Sequence, residues 1–280
     1  MGRPPTAEEV AANARAAELS REVEATDESY SYGAGGPTMR RAAQQLGPLV
    51  ERYPQARDAR LLLGRLLLAL GEGTRALALL EPLARTETQE AETQAAYGIA
   101  LLSTGRVEES LSPLRRARTL EPRRLERALV LGSAELLAGR VEDAEASFRA
   151  GIAISPDSPE AHGNLGSVLL LRGQTRDARA HLERAVTLAP RRSTFVSNLA
   201  YAELSSGELE AATRHASAAT KLDPKLGSGW LVLGLVYARQ ERFREARKAF
   251  QEARRLDPTD PRATENLAEL DELEKSRARK

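Results

Sequence analysis

The sequence predicts an all-α chain built from repeated helix–turn–helix units. Three observations carry this. Pro122, Pro156, Pro190, Pro224 and Pro258 recur at one constant interval. Gly71, Gly105, Gly139, Gly173 and Gly207 keep the same interval, and only Glu241 breaks their column. A second column of small residues runs Gly64, Gly98, Gly132, Gly166, Ala200 and Gly234, preceded in each unit by Leu or Tyr. Self-similarity at a fixed period, here about 34 residues, marks an array of stacked units, each too small to bury its own apolar face.

Residues 1–56 are the least regular. Thr6 followed by Glu9 is a capping-box pattern, and it opens an Ala-rich helix to about residue 25. Ala12, Ala16, Leu19 and Val23 form its thin apolar stripe. Residues 26–38, TDESYSYGAGGPT, read as a Gly/Ser-rich loop. Two readings of that loop stay open: a stretched turn, or a partner-binding segment using Tyr30 and Tyr32. A helix follows at about 39–52, with Ala42, Leu46, Leu49 and Pro54 in the register of the later second helices. Residues 1–56 are thus expected to be a diverged helical pair.

Six units follow, at 57–90, 91–124, 125–158, 159–192, 193–226 and 227–260. In five of the six helix A runs to a turn glycine, and in five helix B runs to a proline, which cannot continue a helical hydrogen-bond ladder. Small residues such as Gly166 and Ala178 let the two helices approach, and Leu165, Leu169 and Leu182 fill the space beside them. Residues 261–280 begin as a seventh helix A with Asn266, Leu267 and Ala268 in register, then turn polar, as a solvating terminal cap would. Pro48, Pro82 and Pro113 fall inside B helices. Each removes a backbone bond at about 3 kcal/mol, so kinked or shortened helices are expected there, with regular geometry only from about residue 125.

The period and punctuation resemble the tetratricopeptide repeat. The sixth unit carries the likeness most fully, in Trp230, Leu233, Gly234, Tyr237, Ala246, Phe250, Ala253 and Pro258. The resemblance implies a right-handed α-α superhelix, a tetratricopeptide solenoid whose A helices line a concave wall that takes partners. A looser similarity, in repeat number and Arg/Ala/Leu-rich style, is to bacterial pilus-assembly or pilotin-type members.

Chemistry is hard to find. There is no Cys, so disulfides, thiolate catalysis and Cys-held metals are out. The stretch Gly71–Ala76, GEGTRA, has the spacing of a dinucleotide-binding turn, but a helix precedes it where a strand is required. It is a turn. His162, His181 and His215 are the only histidines. His181 and His215 stand one repeat apart and read as solvated surface, short of the three convergent ligands a metal needs. No catalytic set assembles. The expectation is a chain without enzymatic activity, cofactor, metal or small-molecule substrate.

The net charge of +1 gives no general pull toward nucleic acid or an anionic membrane. No run of about 18 apolar residues could span a bilayer, and the first residues lack a secretory signal's apolar core. A cytoplasmic location is expected, or a periplasmic or outer-membrane-associated one if a leader precedes this sequence.

Function is therefore expected on the inner wall. The inner-facing candidates are Leu61, Leu62, Arg65, Glu92, Glu126, Leu129, Val130, Asn164, Asn198, Tyr201, Leu231, Val232, Leu235 and Asn266. Asp58, Glu92, Glu126 and Glu160 would form an acidic rail, and Asn164, Asn198 and Asn266 a ladder of amides able to grip an extended backbone. The apolar members either contact a partner or pack on neighbouring A helices. Arg115, Arg116, Arg118, Arg123, Arg124 and Arg127 form a basic cluster. It is either a solvated outer face or a site for an acidic partner or nucleic acid. The reading is a protein–protein scaffold or adaptor in the assembly of a bacterial multiprotein complex, with a partner peptide or helix in the groove and its oligomeric state open.

Overall fold

The computed structural model describes residues 3–26 and 35–278. Tyr30 and Tyr32, with most of the 26–38 loop, lie outside the described residues. The fold among them is all-α, with no strand. The chain divides into two compact units, residues 1–144 and 145–280, each described by itself.

The first unit holds α1 (Ala7–Glu24), α2 (Pro37–Arg52), α3 (Arg57–Ala69), α4 (Gly73–Thr86), α5 (Ala91–Ser103), α6 (Val107–Leu120), α7 (Leu125–Leu137) and the start of α8 (Val141–Ile154). The second holds the remainder of α8 and then α9 (Pro159–Leu171), α10 (Thr175–Leu188), α11 (Ser193–Ser205), α12 (Leu209–Leu222), α13 (Gly227–Arg239), α14 (Phe243–Leu256) and α15 (Pro261–Ala278).

The Thr6–Glu9 capping box forms as the sequence predicts: Glu9 N–H donates to Thr6 Oγ1 at 3.2 Å, and Thr6 N–H to Glu9 Oε2 at 2.7 Å. The stripe of Ala12, Ala16, Leu19 and Val23 is buried against α2 and α3. Here propensity, capping and burial agree.

The helices of the repeated units start at one constant interval from Arg57 onward, not from residue 125. The three prolines neither shorten nor interrupt their helices. The helices holding Pro82 and Pro113 are 14 residues long, like the proline-free α10, α12 and α14, and the one holding Pro48 has 16. The reason is placement. The carbonyls freed by the prolines belong to Gln44, Ala78 and Glu109, all on exposed residues where water can take the bond. Packing along the opposite face then holds the helix in spite of its propensity.

The turn between A and B helices is one repeated device. Gly71 sits at φ 80°, and its N–H donates to Leu68 O at 3.0 Å while Glu72 N–H donates to Leu67 O at 2.8 Å. This pair of bonds is a Schellman motif, which needs a left-handed residue at its centre. Gly105, Gly139, Gly173 and Gly207 occupy it at φ 72–79°. Glu241 alone occupies it with a side chain, at φ 58°, and makes the same two bonds. A left-handed L-residue costs on the order of 1 kcal/mol.

The second glycine column solves a different problem. A Cβ at Gly64 would sit 2.7 Å from Leu80 Cγ, and at Gly166 it would sit 2.6 Å from Leu182 Cγ. The equivalent atom at Gly234 would meet Phe250 at 2.5 Å. Each partner stands at the same place in helix B of its own repeat and is fully buried. Removing the Cβ at these positions lets the pair close over a large apolar side chain, whose burial stabilises such an array. At the end of the second unit α15 packs on α13 and α14, with Ala263, Leu267 and Leu270 buried beside Phe250.

One further periodic contact ties four of the A helices to the backbone before them. Arg60 Nη1 donates to Pro54 O at 3.0 Å, His162 Nε2 to Pro156 O at 2.9 Å and Trp230 Nε1 to Pro224 O at 2.9 Å. Gln94 Nε2 does the same job on Ala84 O and Glu87 O. Ala128 and Val196 stand in this column without a polar side chain.

Candidate functional site

In the first unit, the A-helix face carries two hollows that share Arg65. One, of about 210 Å³, has Ala16, Ala17 and Ser20 of α1 on one side and Asp58, Leu61 and Leu62 of α3 on the other. The second, of about 240 Å³, is floored by Leu68, Ala95, Ala96 and Ile99, with Glu92, Arg124, Glu126 and Arg127 around it. The alanines make these hollows: short side chains at positions where larger ones would fill the surface.

The charges around them are organised as a relay. Arg65 Nε lies 3.1 Å from Glu92 Oε1. Arg127 reaches Glu92 Oε2 at 2.5 Å and Glu121 Oε2 at 2.7 Å. Burial by itself would raise the Glu92 carboxyl, but Arg65, Arg127 and Arg124 outweigh it and hold it below the ordinary carboxylate range. Arg127 is likewise desolvated, and Glu92 and Glu121 keep it firmly charged.

This geometry changes the acidic rail. Asp58 pairs with Arg57, Glu92 with Arg65 and Arg127, Glu126 with Arg124, and Glu160 with Arg192. The rail is neutralised by arginines from neighbouring positions rather than bare. The same pairs break up the basic cluster. Arg115 binds Glu135 and Asp143, Arg124 binds Glu121 and Glu126, and Arg127 is buried in the relay. Among the described residues, only Arg116, Arg118 and Arg123 of the six have no carboxylate partner.

Several inner candidates turn out to be core. Leu61 and Leu62 are buried in the core of the first unit, though both edge a hollow. Leu231 and Val232 are buried in the second, in the clusters around Phe250 and Ala216. The helices pack closely enough along their A faces to cover these positions. Leu129, Val130 and Leu235 stay partly buried, and Tyr201 is 41% exposed.

The amides do not form a free ladder. Asn198 Nδ2 donates to Ser167 Oγ at 2.8 Å, and Ser167 Oγ donates in turn to Gly163 O. Asn266 Nδ2 donates to Arg262 O in its own helix. Asn164 is half-buried without a side-chain hydrogen bond among the described residues. The second unit nevertheless has an A-face hollow of about 410 Å³, which includes Leu235 and Asn266 and reaches the turn at Glu241.

The histidines are partnered rather than solvated. His162 Nδ1 and His181 Nδ1 lie 3.0 Å apart. The carbonyl of Pro156 can only accept, so His162 carries its proton on Nε2 and receives one from His181 Nδ1. His215 Nδ1 meets the buried Glu203 carboxylate at 2.8 Å. Both pairs cross between helices at spacings other than one repeat, so counting one repeat at a time misses them. Among the described residues no three His, Asp or Glu side chains converge to hold a metal ion, and no helix is long and apolar enough to cross a membrane.

Comparison with known proteins agrees with this architecture. The family model described as the cilia and flagella-associated protein 70 C-terminal domain matches residues 99–278, and a tetratricopeptide repeat model matches residues 39–91. No curated protein matches the sequence. Among solved structures, the Cut9–Hcn1 hetero-tetramer of the APC/C is similar at a TM-score of 0.72 and 17% identity, over 83% of this chain. The chain spans 46% of that matched chain's length. Pseudomonas aeruginosa pilF is similar at 0.64 and 19% identity, over 77% of this chain and 98% of its own. YrrB, described as a TPR protein with an unusual peptide-binding site, is similar at 0.50 and 19% identity, over 66% and 96%. At these identities the likeness is one of fold. The chain belongs to the tetratricopeptide repeat family, and within it to the group described as the cilia and flagella-associated protein 70 C-terminal domain.

Proposed function

We propose that this protein is a non-catalytic scaffold that holds a peptide or helix of a partner protein on the A-helix face of its first unit. One observation carries the reading: two hollows meeting at Arg65, across four successive A-type positions on α1, α3, α5 and α7. Their floors are apolar and small-lined, and their rims are ionised. That combination takes a side chain from above and orients the segment bearing it by polar contacts. The Arg65–Glu92–Arg127 relay is already formed, so little ordering cost remains at the moment of binding. Assembly of a bacterial multiprotein complex is the role we assign; the similarity to pilF and to a chain of the Cut9–Hcn1 assembly agrees with it at the level of fold.

The test is site-specific photo-crosslinking. A photo-reactive phenylalanine analogue replaces Ile99, on the floor of the second hollow, or Ala78, exposed on α4. Ile99 is expected to trap a defined protein and Ala78 is not. Equal yields from the two positions would remove the A face as the binding surface.

A further inference from the structure

Helix α12 keeps short side chains where its equivalents carry long ones. Ser217 and Ala218 stand in register with Glu183 and Arg184 of α10, and with Gln251 and Glu252 of α14. The short pair leaves a hollow of about 600 Å³ on the B-helix face of the second unit, lined also by Thr213, Arg214, Lys221 and Gln240. One wall of it is fixed. Gln240 Nε2 donates to Thr213 Oγ1 at 2.8 Å, and Thr213 Oγ1 donates to Leu209 O at 2.7 Å.

The charge around this hollow is unbalanced. Arg214 and Lys221 are exposed, and among the described residues neither has a carboxylate partner. The same holds for Arg244, Lys248 and Arg254 of α14. The carboxylates of α14 are taken, Glu245 by Arg242 and Glu252 by Arg255. Among the described residues of these two helices, Glu210 is then the one unpaired carboxylate. Arg214 and Lys221 stand two turns apart, about 10.5 Å along the helix. Ser217 lies between them, and its hydroxyl makes no hydrogen bond among the described residues. A recess flanked by two such cations is complementary to a segment carrying two carboxylates about 10 Å apart. A chain of phosphates fits it less well. Glu210 repels phosphate at one end, and no aromatic ring lines the hollow to stack a base.

We propose that this B-helix face docks an acidic segment of a partner protein. Two Asp or Glu side chains of the segment reach Arg214 and Lys221, and its backbone lies over Ala218 and accepts the Ser217 hydroxyl. This surface is separate from the A-helix face of the first unit, and neither reading depends on the other.

The experiment selects random dodecapeptides on the immobilised full chain and sets aside those that also bind Arg214→Glu/Lys221→Glu. Circular dichroism and the unfolding midpoint check the fold of every variant. The remaining peptides are expected to carry at least two Asp or Glu residues. Arg214→Glu and Lys221→Glu are each expected to weaken them more than about tenfold. Ala218→Gln fills the hollow without changing the charge and is expected to weaken them about fivefold. Arg40→Glu/Arg41→Glu makes an equal charge change on exposed residues of α2, outside both hollows of the first unit. It is expected to leave the affinities within about twofold. A selection in which no acidic peptide is lost on the charge-reversed chain would overturn the proposal. So would equal weakening by the α2 pair, or indifference to Ala218→Gln, because the attraction would then be to general charge and not to this recess. Tighter capture of a single-stranded oligothymidylate than of any selected peptide, lost in the same variants, would assign the surface to nucleic acid instead. The crosslinking yield at Ile99 reports on the first-unit reading independently of these outcomes.

Discussion

The side-chain oxygen of Asn13, in α1, accepts the backbone N–H of Asp58 at 3.0 Å, and that of Ala59 at 3.2 Å. Helix α3 has no side-chain cap of its own at Ala56. Its first free donors are therefore capped from another helix, far earlier in the chain. Substituting Asn13→Ala is expected to destabilise the first unit by about 1 kcal/mol, the usual worth of an N-cap. Amide hydrogen exchange at Asp58 and Ala59 should accelerate in the variant. Unchanged exchange at both amides would show that the cap carries no weight.

Relief of the strained turn should be measurable in the opposite direction. Glu241→Gly is expected to stabilise the protein by about 1 kcal/mol, and Gly173→Ala to destabilise it by a similar amount. Urea unfolding of both variants beside the native chain provides the comparison. The result to look for is opposite signs.

The Gly64–Leu80 contact makes a third case. Alanine is the better helix former by about 1 kcal/mol, so propensity favours Gly64→Ala. The added Cβ would nevertheless lie 2.7 Å from Leu80, which is fully buried and has little room to retreat. Overpacking of this kind costs roughly 1–3 kcal/mol, so a net loss of stability is expected. The double change Gly64→Ala/Leu80→Ala should show a favourable coupling in a mutant cycle. Strict additivity would mean that the two residues do not compete for space.

The His162–His181 pair predicts a pH dependence. Burial, then the neighbouring His162 and Arg149, holds His181 below its ordinary value, with Asp177 opposing weakly. A histidine with a depressed folded pKa binds its proton more readily when unfolded. Stability from this group is thus intact above about pH 6.5, the unfolded value, and falls as the solution is acidified below it. The melting temperature should drop between pH 7 and pH 5, and His181→Gln should flatten that drop. A variant with the same pH profile as the native chain would place the dependence elsewhere.

The periodic part of the fold is legible because it rests on steric demands that leave one residue type in a column. A left-handed turn and a missing Cβ both write Gly, and Gly71 and Gly64 can be read directly. The capping box at Thr6 is legible for the same reason, being a local pattern with a local cause. The prolines mislead because their cost depends on whether the freed carbonyl meets water, which is a matter of which face is outward. The site is legible only in part. Register alone puts Arg65, Glu92, Glu126 and Ile99 on the one face, where they line a common hollow. It does not give their pairing, since Arg127 reaches Glu92 from the next repeat and Arg57, Arg124 and Arg192 turn the rail from acidic to neutral. Leu231 and Val232 show the remaining limit: register says which way a side chain faces, and the neighbouring helix decides whether it is covered.

The contacts from Arg60, Gln94, His162 and Trp230 to the preceding loop bear on how the chain would respond to tension. Each clips a helix to the stretch of backbone that a pull would peel away first, and the clip breaks by shearing one short bond. The joints at Ala128 and Val196 have no such clip. The Arg127–Glu121 ion pair spans the first of these joints, so the chain under tension should yield at the Val196 joint before those that carry a clip, giving an extension with a built-in rip line.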